Sequence, residues 1–278
     1  MDQAGWRRLT RDPRTAVSVA APATESAEPI LRLRGVGRRF GGVQAVRGVD
    51  LDVLPGERRA ILGPNGAGKT TLFNLVSGEF PPTAGTIELF GRDVTRQPAR
   101  KRAHVGLTRT YQTSRLFLGL SVEDNLYLAV LGIRGNHLRP VRLSGRDGPM
   151  HARARELAER VGLANQLGTL VGSLSHGEQR QLEVAMARAG DPKLMMLDEP
   201  AAGLSRGERV LLTELLVELD RDITLVLIEH DMDVALTVAE RVTMMHEGRI
   251  VVEGTPEEIR ANQLVHDLYL GKGHYGDE

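Results

Sequence analysis

The stretch from Gly63 to Thr70 reads Gly-Pro-Asn-Gly-Ala-Gly-Lys-Thr and matches the phosphate-binding loop G-x-x-x-x-G-K-[ST] at every fixed position. An apolar-centred run at 58–62 precedes the loop, and a run with helical character follows it at 71–76. Glycines let backbone N–H groups approach phosphate oxygens closely, and the start of a helix adds free N–H groups and the positive end of a dipole. The sequence therefore predicts a strand, a phosphate-binding loop and a helix in succession, against the competing interpretation of a plain glycine-rich turn.

The side chains of this loop predict how a nucleoside triphosphate is held. Lys69 is expected to reach the β- and γ-phosphates, and the Thr70 hydroxyl is expected to ligate Mg²⁺. The residues predicted to contact the nucleotide here are Gly63, Pro64, Asn65, Gly66, Ala67, Gly68, Lys69, Thr70 and Thr71.

A second pattern completes a magnesium–nucleotide site. The apolar run 194–197 ends in Asp198-Glu199-Pro200, and an acid at the end of a buried strand is expected to help hold Mg²⁺. Glu199 is the candidate general base that polarises the attacking water. Taken alone, Asp-Glu-Pro is as easily a solvated strand end, but its pairing with the phosphate loop favours the catalytic interpretation.

Composition narrows the class of protein. The 278 residues include 36 Lys or Arg and 36 Asp or Glu, and this balance argues against nucleic acid as a partner. The chain has no cysteine, which excludes disulfides, thiolate metal sites and a cysteine nucleophile. No apolar run approaches the roughly 18 residues that span a bilayer. Any role at a membrane is therefore expected to act through a partner.

The order of strand and helix signals predicts a mixed α/β domain. Alternating apolar and polar residues predict an antiparallel sheet beside the nucleotide. The alternating segments are 30–34, 46–53 and 86–90. Runs at 194–197 and 223–228 are apolar throughout, and an amphipathic helix at about 205–220 joins them. This arrangement predicts buried parallel strands in a βαβ unit.

A third motif indicates a family. Leu174-Ser175-His176-Gly177-Glu178-Gln179 resembles the LSGGQ signature of ATP-binding cassette (ABC) ATPases, and other landmarks of that family occur in its order over about 30–271. They are Phe40, which resembles the aromatic that stacks on adenine; Gln112, which resembles the Q-loop glutamine; the D-loop-like run 201–205; and His230, which resembles the switch histidine. Each landmark alone has an ordinary structural explanation, and their shared order favours the family.

This resemblance implies the remaining site residues. Gln112 and His230 would act with Glu199 in hydrolysis, and Gln112 would also contact the Mg²⁺. Ser175 and Gly177 would contact the γ-phosphate of an ATP bound to a second subunit, which suits the free N–H groups at the start of a helix.

The resemblance also implies the architecture. The fold class is α/β: a P-loop NTPase (RecA-like) core with an antiparallel β subdomain, and a helical subdomain at about 96–172 that carries the signature at its end. The ATPase domain would span 30–271. Residues 1–29, rich in Ala, Pro, Ser and Arg, are expected to form a disordered tail. Residues 272–278 are expected to form a short C-terminal tail.

Partners are implied in the same way. Two such subunits, alike or different, would sandwich two ATP molecules and drive a transmembrane permease at the cytoplasmic face of the cell membrane. A periplasmic or extracellular binding protein would act through the permease. The competing class is a soluble ABC ATPase acting on nucleic acid or ribosomes. A single cassette with no sustained heptads and no basic excess argues against that class.

Three residues depart from the family pattern. His176 stands where the signature usually has Gly, Glu178 where it usually has Gln, and Ser205 where the D-loop usually has Asp. Glu178 would repel a phosphate that it faced, but not if it folds back onto the Ser175 N–H in a capping box. The same capping-box pattern begins at Ser205 and at Thr255.

Finer cues concern the transported substrate. The segment 110–117 resembles the region after the Q-loop in ATPases of branched-chain amino-acid importers, as do the segments 229–232 and 268–271. Urea- and lipopolysaccharide-transport ATPases share much of this pattern, so both alternatives stay open. In the first segment, Leu116 and Phe117 either pack under the next helix or form an exposed docking surface for the permease.

Overall fold

Two β-sheets and a group of helices make up the computed structural model, which describes residues 28–110, 116–134 and 148–270. The strands are β1 (Leu31–Phe40), β2 (Val43–Val53), β3 (Arg58–Leu62), β4 (Ala84–Leu89), β5 (Arg92–Asp93), β6 (Leu107–Arg109), β7 (Leu194–Asp198), β8 (Thr224–Ile228), β9 (Arg241–His246) and β10 (Arg249–Gly254). The helices are α1 (Lys69–Ser77), α2 (Ala99–His104), α3 (Val122–Arg134), α4 (Pro149–Arg160), α5 (His176–Ala187), α6 (Arg206–Val217), α7 (Met232–Val238), α8 (Pro256–Ala261) and α9 (Gln263–Leu270).

The smaller sheet is the predicted antiparallel one. Its strand order is β2-β1-β4-β5, and β1 pairs antiparallel with both neighbours. Leu31 and Leu33 of β1 are buried, whereas Arg32 between them pairs with Glu88 of β4 at 3.1 Å. The alternation read from the sequence therefore becomes one buried face and one charged face.

The larger sheet has the order β10-β9-β3-β8-β7-β6 and is parallel from β9 to β6. The apolar runs 194–197 and 223–228 become the neighbouring strands β7 and β8, as predicted. Side chains of β7 alternate between two hydrophobic clusters, with Met196 in one and Met195 and Leu197 in the other. Both faces of the sheet are covered, which is why these runs are apolar throughout.

Helices and the turns between them form a third hydrophobic cluster. It joins α3, α4 and α5 through side chains such as Leu157 and Leu182 and reaches Ala189. Strand β6, inside the predicted helical range 96–172, pairs with β7 in the large sheet. The boundaries at 96 and 172 stay predictions, and this packing favours a helical unit that begins near 116 and includes α5.

All three predicted capping boxes form. Ser175, Ser205 and Thr255 each accept a hydrogen bond from the backbone N–H three residues later, and the Glu at that position accepts from the capping residue. These reciprocal bonds satisfy N–H groups that the first turn of a helix leaves open. They fix where α5, α6 and α8 begin.

Several predictions fall outside the described residues. Residues 1–27 of the expected N-terminal tail, the expected tail 272–278 and Gln112 are among them. Within the described ranges, no helix is long and apolar enough to cross a bilayer.

Candidate nucleotide-binding and hydrolysis site

A cavity of about 300 Å³ lies over the start of α1. It is lined by Ala45, Asn65, Gly66, Ala67, Gly68, Lys69, Thr70, Thr71, Glu199 and His230. The fold therefore brings most of the phosphate loop together with the predicted general base and the predicted switch histidine. Gly63 and Pro64 belong to the same loop but do not line the cavity.

Two glycines let the phosphate loop pass close to neighbouring backbone. Gly63 has a φ of 150°, and a Cβ there would lie 2.2 Å from the Met245 carbonyl oxygen. Gly68 has a φ of 99°, and a Cβ there would lie 2.4 Å from the Ala45 carbonyl oxygen. A side chain at either position would displace the loop from β9 or β2. The sequence motif thus fixes the path of the loop as well as access to phosphate.

The Lys69 ammonium is buried at the base of the loop. Its Nζ donates to the carbonyl oxygens of Gly63 at 2.6 Å and Pro64 at 3.2 Å. Burial lowers the pKa of Lys69, while the charges of Glu199 and Asp198 act in the opposite direction. A bound phosphate would offer this ammonium stronger acceptors than the two carbonyls.

Asp198, at the end of β7, provides a test of whether the site suits Mg²⁺. Its side chain is 2% exposed; Oδ2 accepts from Arg109 at 2.8 Å, whereas Oδ1 is buried without a hydrogen-bond partner among the described residues. An orphaned carboxylate oxygen and the exposed Thr70 are hard oxygen donors of the kind that Mg²⁺ prefers. Groups of three His, Cys, Asp or Glu that could hold a metal do not occur in the described ranges. Phosphate oxygens and water would therefore have to complete the coordination.

Glu199 and His230 face each other across the cavity. The Nε2 of His230 lies 2.7 Å from Oε1 of Glu199. Glu199 has a φ of 50°, a conformation that costs a non-glycine residue energy and is common at functional sites. The strained backbone and the imidazole together fix the direction of the carboxylate.

Glu229 was not singled out from the sequence, yet it holds the loop that follows Glu199 and the backbone of His230. Its buried carboxylate accepts from the Ala201 N–H at 2.8 Å and from the His230 N–H at 3.1 Å. It therefore ties the loop after Glu199 to the loop that carries His230. Burial raises the pKa of Glu229 to about 7, against the lowering effect of the backbone N–H groups.

The signature motif lies at the start of α5. Ser175 is its capping residue, and Glu178 folds back so that its Oε2 accepts from the Ser175 N–H at 2.8 Å. The Gly177 N–H, predicted to contact phosphate, donates instead to Oε1 of Glu208 at 2.8 Å. Ser175 and Gly177 do not line the cavity, and their contact with an ATP bound to a second subunit stays a prediction.

Phe40 lies at the end of β1 and is 44% exposed. The Arg38 guanidinium lies 4.6 Å from its ring centroid, and Phe80 meets it edge-on at 5.4 Å. The ring is not part of the cavity lining, although Ala45 of the next strand is. Phe40 is therefore a surface aromatic rather than a core one, and its role in stacking on adenine stays a prediction.

These features define a P-loop ATPase of the cassette type. A family model described as "ABC transporter" matches residues 46–202, and one described as "Branched-chain amino acid ATP-binding cassette transporter" matches 249–275. The chain belongs to the ATP-binding subunits of ABC transporters, and it binds and hydrolyses ATP.

Individual relatives align with this chain over nearly their whole length. The high-affinity branched-chain amino acid transport ATP-binding protein LivG of Escherichia coli K12 is 38% identical over 88% of this chain and 99% of its own. BraF of Pseudomonas aeruginosa is 37% identical with the same coverage. The ADP conformation of MJ1267, an ATP-binding cassette of an ABC transporter, superposes with a TM-score of 0.78 at 27% identity, covering 88% of this chain and 99% of that one.

The elevated pKa of Glu229 predicts a pH-dependent stability. Because the folded state retains a proton that the unfolded chain releases near pH 4.5, the contribution of Glu229 to the free energy of unfolding falls as pH rises from about 4.5 to 7. We expect the difference in unfolding free energy between wild type and Glu229→Gln to shrink by up to about 3 kcal/mol over that range. Urea denaturation at several pH values measures it. Parallel curves for the two proteins would contradict the elevated pKa.

Proposed function

We propose that this chain energises the import of branched-chain amino acids, as one of the ATPase subunits attached to a transmembrane permease at the cytoplasmic face of the membrane. The observation that carries the substrate class is the match of residues 249–275 to the branched-chain amino acid model, together with the named function of LivG and BraF. A periplasmic or extracellular binding protein would deliver the amino acid to the permease.

The roles proposed for the site residues are supported by the groups that the fold brings together. Lys69 and the loop N–H groups would hold the phosphates. Thr70 and Asp198 would hold the Mg²⁺ that accompanies ATP, and the family resemblance implies Gln112 as a further ligand. When bound, the ion neutralises charge that develops on the phosphoryl oxygens. Glu199 accepts the proton of the attacking water, and its 2.7 Å contact with His230 keeps the carboxylate oriented.

The signature motif would act in a dimer. We assign Ser175 and Gly177 to the γ-phosphate of an ATP held by a second cassette. A dimeric structure is known for the cassette MJ0796 bound to ADP and phosphate, which shares the fold at 24% identity and a TM-score of 0.69. In the single chain, Glu208 occupies the Gly177 N–H that this assignment needs. The phosphate must therefore displace or reorient a carboxylate.

Glu208 is an anion at neutral pH. Hydrogen bonds from the N–H groups of Ser205 and Gly177 hold the pKa of Glu208 down to about 2. A phosphate approaching Gly177 would find that N–H already hydrogen-bonded to Glu208, and the negative charge of Glu208 would repel it. The contact consequently opposes closure of the dimer around ATP.

Replacing Glu208 with Gln tests this contact. A Gln retains the capping box of α6 but removes the negative charge. We expect the dissociation constant of the homodimer formed with a non-hydrolysable ATP analogue to fall about 25-fold, because each of its two sites loses one like charge near a phosphate, which is worth about fivefold in a water-exposed setting. Sedimentation velocity over a range of protein concentrations measures it.

The matched control is Glu258→Gln, which changes the same position of the capping box at α8 and does not contact the signature. Its dimer should associate as the wild type does. A Glu208→Gln dimer that associates no more tightly than this control would contradict the assignment of Gly177 to phosphate.

We propose that the permease docks at the segment for which the sequence left two alternatives open. Leu116 packs on the helical cluster, whereas Phe117 is 54% exposed. With three neighbouring side chains it forms an exposed apolar turn, defined as Phe117, Leu118, Leu120 and Leu170. Buried Asn125 fixes this turn, since its Oδ1 accepts from the Phe117 N–H at 2.9 Å and its amide donates to the Phe117 carbonyl at 3.1 Å. A rigid, exposed apolar group supports docking.

Reconstitution with the permease tests the proposed function. In vesicles that contain the permease pair and the binding protein, we expect leucine, isoleucine or valine to raise the ATPase rate, and urea to leave it unchanged. Phe117→Ala should abolish most of this stimulation, because an aromatic anchor at an interface dominates binding. The basal ATPase rate of the isolated variant should stay within about twofold of wild type.

Leu264→Ala provides the control, because Leu264 is also an exposed apolar residue but lies on α9. Stimulation by urea rather than by branched-chain amino acids would replace the proposed substrate. Equal loss of stimulation in both variants would place the docking surface elsewhere.

A further inference from the structure

Arg109, the last residue of β6, lies against the proposed magnesium site and has no role in the function described above. Its side chain is 5% exposed, and that of its partner Asp198 is 2% exposed. The Nη2 atom of Arg109 donates to Oδ2 of Asp198 at 2.8 Å. Both charges are almost completely withdrawn from bulk water, and each helps to compensate the other.

The other side of the guanidinium is anchored to α1. Nη1 donates to Oδ1 of Asn74 at 2.5 Å and to Oγ of Ser77 at 2.9 Å. The group also lies 5.7 Å from the centroid of the Phe73 ring. Because α1 begins directly after the phosphate loop, one planar side chain connects the acid at the end of β7 to the helix that carries that loop.

This anchoring makes the two oxygens of Asp198 unequal. Oδ2 is held by Arg109, while Oδ1 stays buried without a hydrogen-bond partner among the described residues. Thr110, the next residue, also contacts β7, since its N–H donates to the Met196 carbonyl at 2.9 Å. Arg109 and Thr110 therefore fix the end of β6 against the end of β7, just before the segment that leads to Gln112.

From this geometry we infer that Arg109 is a positioning residue for Asp198, holding one carboxylate oxygen so that the other meets the Mg²⁺ that accompanies the nucleotide. The inference rests on the magnesium role proposed for Asp198. A group that orients a metal ligand from outside the coordination sphere typically changes metal affinity 10- to 100-fold when it is replaced.

Arg109→Lys tests the inference, because lysine keeps the charge but loses the planar fork that reaches Asp198 and α1 together. The measurement is the affinity for the non-hydrolysable analogue AMP-PNP by isothermal titration calorimetry, once with Mg²⁺ and once with EDTA. We expect the affinity in EDTA to stay within about twofold of wild type and the gain from Mg²⁺ to fall about tenfold. Asn74→Ala, which removes one anchor and leaves the pair with Asp198, should lower that gain about threefold.

The control variant is Arg102→Lys. Arg102 is fully buried and also holds α1, because it donates to the carbonyls of Leu75 and Val76, but no hydrogen bond or ion pair joins it to Asp198. The gain in AMP-PNP affinity that Mg²⁺ gives to Arg102→Lys should match that of wild type. If the Arg109 and Asn74 variants lose the same amount of AMP-PNP affinity with Mg²⁺ as without it, the positioning role is overturned. A reduced gain from Mg²⁺ in the Arg102 control would overturn it as well. A wild-type affinity that does not depend on Mg²⁺ would overturn the magnesium role of Asp198 and this inference with it.

Discussion

The parallel hydrogen bonding of four strands is the constraint on which the site depends. In the order β3-β8-β7-β6, each strand delivers its next residues to the same edge of the sheet. β3 leads into the phosphate loop, and β8 leads into Glu229 and His230. β7 ends at Asp198, directly before Glu199, and β6 ends at Arg109. In the register of the sheet, Ile228 of β8 pairs with Asp198 of β7 on one side and with Ile61 of β3 on the other. Segments far apart in sequence therefore become neighbours. The apolar faces above and below hold this register, because a slip would expose one of the two clusters.

The charged groups at that edge of the sheet have different roles. Lys69 lies in the base of the loop, Arg109 compensates the buried Asp198, and the contact with His230 orients Glu199. Anions and cations alternate along this edge, and the side chains of Arg109, Asp198 and Glu199 are largely buried. Such an arrangement is organised before the nucleotide arrives, and little reorientation is then needed as charge develops on the phosphoryl group.

The fold class, the two sheets and the capping boxes were predictable because each follows from a local pattern. Alternation predicted β1 and β2, continuous apolar runs predicted β7 and β8, and a Ser or Thr followed by Glu predicted the starts of three helices. The phosphate loop and Glu199 were predictable for the same reason. Two contacts were not predictable, namely the hydrogen bond from the Gly177 N–H to Glu208 and the ion pair between Arg109 and Asp198. Each joins residues at least 31 positions apart and depends on side-chain directions that no local pattern contains. Glu229 was adjacent to a recognised histidine, yet only its hydrogen bonds to the N–H groups of Ala201 and His230 show that it links two loops.

We propose that Glu199 accepts the proton of the water that attacks the γ-phosphate. Steady-state ATP hydrolysis by Glu199→Gln, with equilibrium binding of ATP measured on the same preparation, tests it most directly. The amide keeps the size and position of the side chain, so binding should stay within about threefold of wild type while turnover falls at least about 100-fold. Hydrolysis at near wild-type rates by a variant that binds ATP normally would contradict the account.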